Sequence, residues 1–219
     1  MRFHVLAVLF LFLAAGLNAQ VPFFLNKKGV VLTYASKNAK GKISGYSETT
    51  VTAVDGNNSN CTIVYETMAM DAKKKPLLAN PIDTKVRIAG GVVSFDPSSF
   101  AGQVMEGMQI TGDNLLLPST ASKGDVLNDY SINITIGPMT TTTTVSNVNV
   151  VAEETLNING TSIECLVVES SNLTKVIGIK QEMKQKIWYG RGVGMVKTEI
   201  YDKKGKLQSV QELIAVQGL

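Results

Sequence analysis

The chain has 219 residues, 44% hydrophobic and 18% charged, with 21 Lys and Arg against 18 Asp and Glu. That length suits one domain with a full core. The near-balanced charge, with no long basic stripe, argues against nucleic acid as a partner.

Residues 1–19 read as a secretory signal. Arg2 supplies the positive start, Val5 to Leu13 is an unbroken apolar run, and Ala14 to Ala19 is rich in small residues. Cleavage after Ala19 leaves residues 20–219 as a single β-rich domain. The apolar run is shorter than the ~20 residues a membrane span requires. No cysteine stands immediately after the cut, where a lipoprotein needs one, the first being Cys61, so the reading is a released protein, periplasmic or extracellular, with no transmembrane anchor. The only histidine, His4, leaves with the signal. Without it, histidine triads, histidine acid–base catalysis and His-containing zinc sites are closed to the mature chain; no cofactor or metal site is expected.

Val30 to Tyr34 predicts a first strand, turned at Asn38-Ala39-Lys40-Gly41-Lys42, and Ile43 to Val54 predicts its return. Asp55-Gly56-Asn57-Asn58 is a further turn signal. Cys61 to Met70 alternates, Cys61, Ile63 and Tyr65 sharing one face. Asp71 to Pro76 closes that strand with lysines, and Val86 to Ile88 and Val92 to Phe95 predict a hairpin around Gly90-Gly91.

One helix signal follows. Asp96 suits a cap with Pro97 at the first helical position, and Phe100, Val104 and Met108 fall at i, i+4, i+8 with Ala101 and Met105 beside them. This stripe is expected to lie on one sheet face. Phe100, Val104, Met105 and Met108 are then either core or the roof of a ligand pocket. Leu115-Leu116-Leu117-Pro118 predicts a loop with inward leucines. Strands resume with Ser131 to Ile136 and the Thr140 to Thr144 run into Val151. Asn157-Ile158-Asn159-Gly160 turns into Thr161 to Glu169, Val176 to Trp188 follows, and a last hairpin of Val193 to Tyr201 and Leu207 to Val216 closes at Asp202 to Lys206. The expected fold is mainly β: an antiparallel, strongly curled sheet or partial barrel of about a dozen strands with one short helix.

The string Trp188-Tyr189-Gly190-Arg191-Gly192-Val193-Gly194 has the glycine content of a phosphate loop. A strand follows it instead of a helix, so a bulge or tight bend fits better than a nucleotide site. Trp188 and Tyr189 then face opposite sides of the sheet, with Gly192 and Gly194 allowing close backbone approach. This string, together with Leu117-Pro118, Gly124-Asp125-x-Leu127 and Gly160-Thr161…Cys165, resembles the TapB-like exported proteins of Bacteroidota. The resemblance implies a secreted β domain and transfers no catalytic or binding residue.

Cys61 and Cys165 are either a disulfide or two buried free thiols, and the sequence leaves both open. Glu153 and Glu154 are adjacent and so point to opposite faces of a strand. A distant carboxylate pair such as Glu66 with Glu169 carries no distinguishing signal. Lys73-Lys74-Lys75 and Lys203-Lys204-x-Lys206 read as solvated turn tips, with anionic lipid headgroups as the second reading. Three functions compete: a non-catalytic module holding an apolar or amphiphilic small molecule or lipid between sheet and helix, a structural domain contacting an envelope protein, and a carboxylate hydrolase.

Overall fold

The computed structural model describes residues 20–95 and 107–219. Among the described residues thirteen antiparallel strands form one sheet in the order β6-β8-β9-β10-β11-β12-β13-β1-β2-β3-β4-β5-β7. In chain order they are β1 (Val31–Asn38), β2 (Ile43–Asn57), β3 (Asn60–Asp71), β4 (Ile82–Ala89), β5 (Val92–Phe95), β6 (Met108–Gly112), β7 (Leu116–Pro118), β8 (Tyr130–Ile136), β9 (Met139–Ile158), β10 (Thr161–Val176), β11 (Ile179–Gly190), β12 (Gly194–Asp202) and β13 (Leu207–Gln217).

Turn chemistry explains the meanders. Asn159 and Gly160 both have positive φ, at 49° and 86°, the two-residue hairpin turn that Asn-Gly favours. Three longer turns share one design. Asn38, Asp71 and Asp202 each accept, through a side-chain oxygen, the backbone N–H groups two and four residues on. The residue at the fourth position, Gly41, Lys74 or Gly205, has positive φ in each. β1 then pairs with β13 and joins the two meanders, Leu32 opposite Val216.

The sheet is not closed, but it curls. Residues of β4 and β5 (Val86, Ile88, Val93) share one buried cluster with residues of β9 and β10 (Val148, Val150, Val168), although many strands separate them in the sheet. The chain itself demands the curl. Gly112 ends β6 at one edge of the sheet, and Leu116 starts β7 at the other. Four residues span at most ~14 Å, so the edges lie near each other. Bulges at Val167/Val168 and Trp188/Tyr189 sharpen the bend. A covering segment completes the barrel-like wall: Gly124 and Leu127 donate to the carbonyls of Val150 and Val148.

Among the described residues there is no helix, and none that is long and apolar enough to cross a membrane. Phe100, Val104 and Met105 of the expected helix lie outside the described residues. Met108 does not continue a helix: it opens strand β6, paired with Ile136. Gly107 at φ 76° interrupts helical geometry there, and Ile110 is buried while Gln109 and Thr111 are exposed, a period of two. The expected loop at Leu115 to Pro118 is edge strand β7. Leu115 and Leu117 are buried as expected, whereas Leu116 is turned outward and 47% exposed.

Candidate functional site

The segment before β1 organises the interior. Phe23 and Leu25 are almost fully buried, and Phe24 stands between them against Tyr65 and Phe95, with ring centroids 5.8 and 5.5 Å away. The glycine string forms the latch that holds this segment. Gly192 donates its N–H to the carbonyl of Pro22 at 2.8 Å. Arg191 donates through Nη1 to the carbonyls of Val21 (2.9 Å) and Ser119 (3.1 Å), and its guanidinium lies 4.1 Å over the Phe23 ring. One side chain thus ties the segment before β1, the β11–β12 turn and the segment after β7.

Two glycines are required by space. A Cβ on Gly190 would meet methyls of Ile163 and Val196 at 2.6 Å, and one on Gly194, already at φ 95°, would meet Phe24 at 3.3 Å. The string is therefore a tight bend, and a strand, β12, follows it. Tyr189 lines the interior. Trp188 takes the other face, 5% exposed, beneath Lys197 and Lys186 at 4.5 and 5.8 Å from its ring. Its Nε1–H donates to Glu154 at 2.8 Å.

Behind Phe24 an apolar cleft of about 220 Å³ runs between β1–β3 and β11–β12, lined by Leu32, Tyr34, Val51, Tyr65, Phe95, Tyr189, Val193 and Met195, with Ser47, Thr49, Thr67 and Gln211 along one side. Strand alternation assembles it: Leu32 and Tyr34 are two residues apart on β1, and Thr49 and Ser47 face them from β2. Tyr34 donates to the carbonyl of Met195 at 2.9 Å. Burial raises the phenols of Tyr34 and Tyr189 far above their ordinary value and pushes Tyr65 up to about 12. All three stay neutral. The lining holds no carboxylate, amine or thiol, so it offers shape, apolar contact and phenolic hydrogen bonds rather than proton transfer.

Elsewhere the candidate groups are engaged separately. Glu153 and Glu154 lie opposite Leu166 and Cys165, hence on opposite faces, although both border one hollow with Glu164 and Arg191. Glu153 accepts from the N–H of Lys123, Glu154 from Trp188, and Glu164 approaches Arg191 at 3.9 Å. Glu169 pairs with Lys186 at 2.7 Å, and Glu66 sits opposite Asp83 on a strand far across the sheet. Cys61 and Cys165 are buried free thiols, not a disulfide. Burial first, then the Glu154 charge, pushes Cys165 up to about 11, which disfavours a reactive thiolate. Among the described residues no group of His, Cys, Asp and Glu could hold a metal.

The cleft lies below Phe24 and Phe95, and of the four residues expected to roof it only Met108 is described, on the edge strand instead. Phe23-Phe24-Leu25, an apolar triplet shortly before β1, was the overlooked sequence signal, and Arg191 was hidden among glycines.

Among curated proteins none matches this sequence. Two solved structures share the fold. One, from Bacteroides fragilis and described as exported with a YmcC-like fold, aligns with TM-score 0.75 and 21% identity over 90% of this chain and 100% of its own. The other, described as a lipoprotein of Parabacteroides distasonis, aligns with TM-score 0.76 and 18% identity over 90% and 99%. The match to a family model over residues 27–213 of the 219 shows that the protein belongs to the DUF3108-like family.

Proposed function

We propose that the mature chain is an exported, non-catalytic binding domain of the TapB-like kind, taking an apolar or amphiphilic small molecule into the cleft behind Phe24. The observation that supports it most is the lining itself: aromatic and aliphatic side chains, three neutral phenols and no titrating catalyst. At about 220 Å³ the cleft is smaller than the ~300 Å³ of the smallest drug-sized pockets, which fits one acyl-chain segment or a small ring. Phe24, held by the Arg191 latch, serves as the cover of the cleft.

Native mass spectrometry of the purified protein with lipid extraction, alongside titration with an apolar fluorescent probe, tests the reading. The wild type should bind the probe, and Met195→Trp, which fills the cleft, should abolish binding without lowering the melting temperature. No copurifying molecule and no probe binding would leave the structural reading, an envelope domain contacting a protein partner. That reading draws on the open sheet edge, where Leu116 of β7 is 47% exposed.

A further inference from the structure

Consecutive antiparallel strands place successive turns at alternate ends of the sheet. Here the β1–β2, β8–β9, β10–β11 and β12–β13 turns and the end of β3 all fall at one end. Within residues 38–42, 71–77, 137–139, 175–180 and 202–206 there are ten lysines and two acids, Asp71 and Asp202. Both acids are spent on backbone N–H groups of their own turns. None of the ten lysines makes an ion pair among the described residues. At the other end the turns at 57–60, 89–92, 158–161 and 190–194 hold a single cation, Arg191, and Lys27 and Lys28 precede β1.

The same basic end carries exposed apolar side chains: Ile177 (72%), Ile179 (71%), Leu77 (64%) and Met139 (49%). Ile177 is the informative one. It has φ 40° and Gly178 has φ 79°, the turn that Asn159-Gly160 makes at the opposite end of the sheet. A β-branched residue is a poor choice for a left-handed position, where Asn or Gly is favoured. Ile177 accepts that strain while exposed, so no internal packing compensates it. Strain kept without a structural return points to use outside the molecule.

We propose that this end of the sheet docks on an anionic phospholipid bilayer, with the β10–β11 and β8–β9 tips entering the interface and the lysines set back at headgroup level. The register supports the stagger. The β10–β11 arm runs past the Met183↔Asp202 pair by the four pairs Leu173↔Glu182 to Val176↔Ile179, about 13 Å at ~3.3 Å per residue. In the step between arm and turn, Lys180 and Lys203 border one hollow of about 350 Å³ together with Glu182 and Asp202, so the net positive charge of this end comes from the other lysines. A soluble polyanion would use the lysines and leave the isoleucines and Met139 in water; a bilayer uses both. This inference does not rest on the cleft behind Phe24.

Cosedimentation of the mature protein with vesicles tests it. Vesicles with 30 mol% phosphatidylglycerol in phosphatidylcholine, ~0.1 M salt, should bind the protein, and pure phosphatidylcholine should not. Lys204→Gln with Lys206→Gln should weaken partition about 25-fold, near fivefold per lysine. Ile177→Asn should weaken it about tenfold through lost apolar burial, while raising the melting temperature by about 2–4 °C as turn strain is relieved. That opposite movement of stability and binding is what a merely structural residue would not give. Equal binding to both vesicle types, no binding to either, or an Ile177→Asn protein that partitions like the wild type would each overturn the proposal, the last leaving a site for soluble polyanions.

Discussion

Replacing Trp188 tests the outer face of β11 without touching the cleft. The side chain is 5% exposed, and its neighbours are Val167 across the β10 pair and Lys197 across the β12 pair. Trp188→Ala removes a large buried aromatic, ~3–5 kcal/mol in comparable cores. Two cation–π contacts of ~0.5–1 kcal/mol each overlap with that figure rather than add to it. The indole N–H to Glu154 contributes ~1 kcal/mol, but Glu154 is exposed and regains water when the donor goes. Packing should therefore dominate. Trp188→Phe, which keeps a ring under the lysines, should lose only ~1–2 kcal/mol, chiefly the hydrogen bond and part of the volume. Because Trp188 is the only tryptophan, urea unfolding must be followed by far-UV circular dichroism for all three proteins. Probe binding in the cleft should persist in both variants, since Tyr189, not Trp188, lines it. An alanine variant within ~1 kcal/mol of wild type, or a phenylalanine variant as unstable as alanine, would refute the packing argument.

Arg191→Ala should release the segment before Leu25. It removes two hydrogen bonds to carbonyls and the stack on Phe23, a loss of ~2–3 kcal/mol, read as faster limited proteolysis near Val21 and a more accessible cleft; unchanged proteolysis would disprove the latch. The buried tyrosines make stability fall at alkaline pH. Their folded pKa values are raised above the unfolded value of 10.0, Tyr65 to about 12. Their contribution is thus fully present below pH 10 and lost as the pH rises toward 12 and beyond. Spectrophotometric titration should show three of the six tyrosines ionising only together with unfolding, and all six titrating reversibly near pH 10 would contradict the burial of Tyr34, Tyr65 and Tyr189.

What the sequence determined was local. Asn-Gly at 159–160 and the Asx-x-Lys-x-Lys turns at 38–42, 71–75 and 202–206 close hairpins through their own side chains and positive-φ positions, so the strands between them were legible from turn chemistry alone. The strand after the glycine string argued against a phosphate loop for the same local reason. The helix expectation shows where local reasoning ends. Phe100, Val104 and Met108 have helical spacing, but Met108 and Ile110 also fit alternation, and the pairing with β8 decides for strand at Met108. Only the tertiary structure decided which distant strands share a core. The curl that gathers Val86 and Val150 into one buried cluster is set by bulges and by the short Gly112–Leu116 link between opposite sheet edges. The seating of Phe24 over the cleft and the gathering of three lysine turns at one end are likewise products of strand order. Turn type is set by a few neighbouring dihedrals, whereas the end of the sheet a turn occupies depends on the number and direction of every strand paired between.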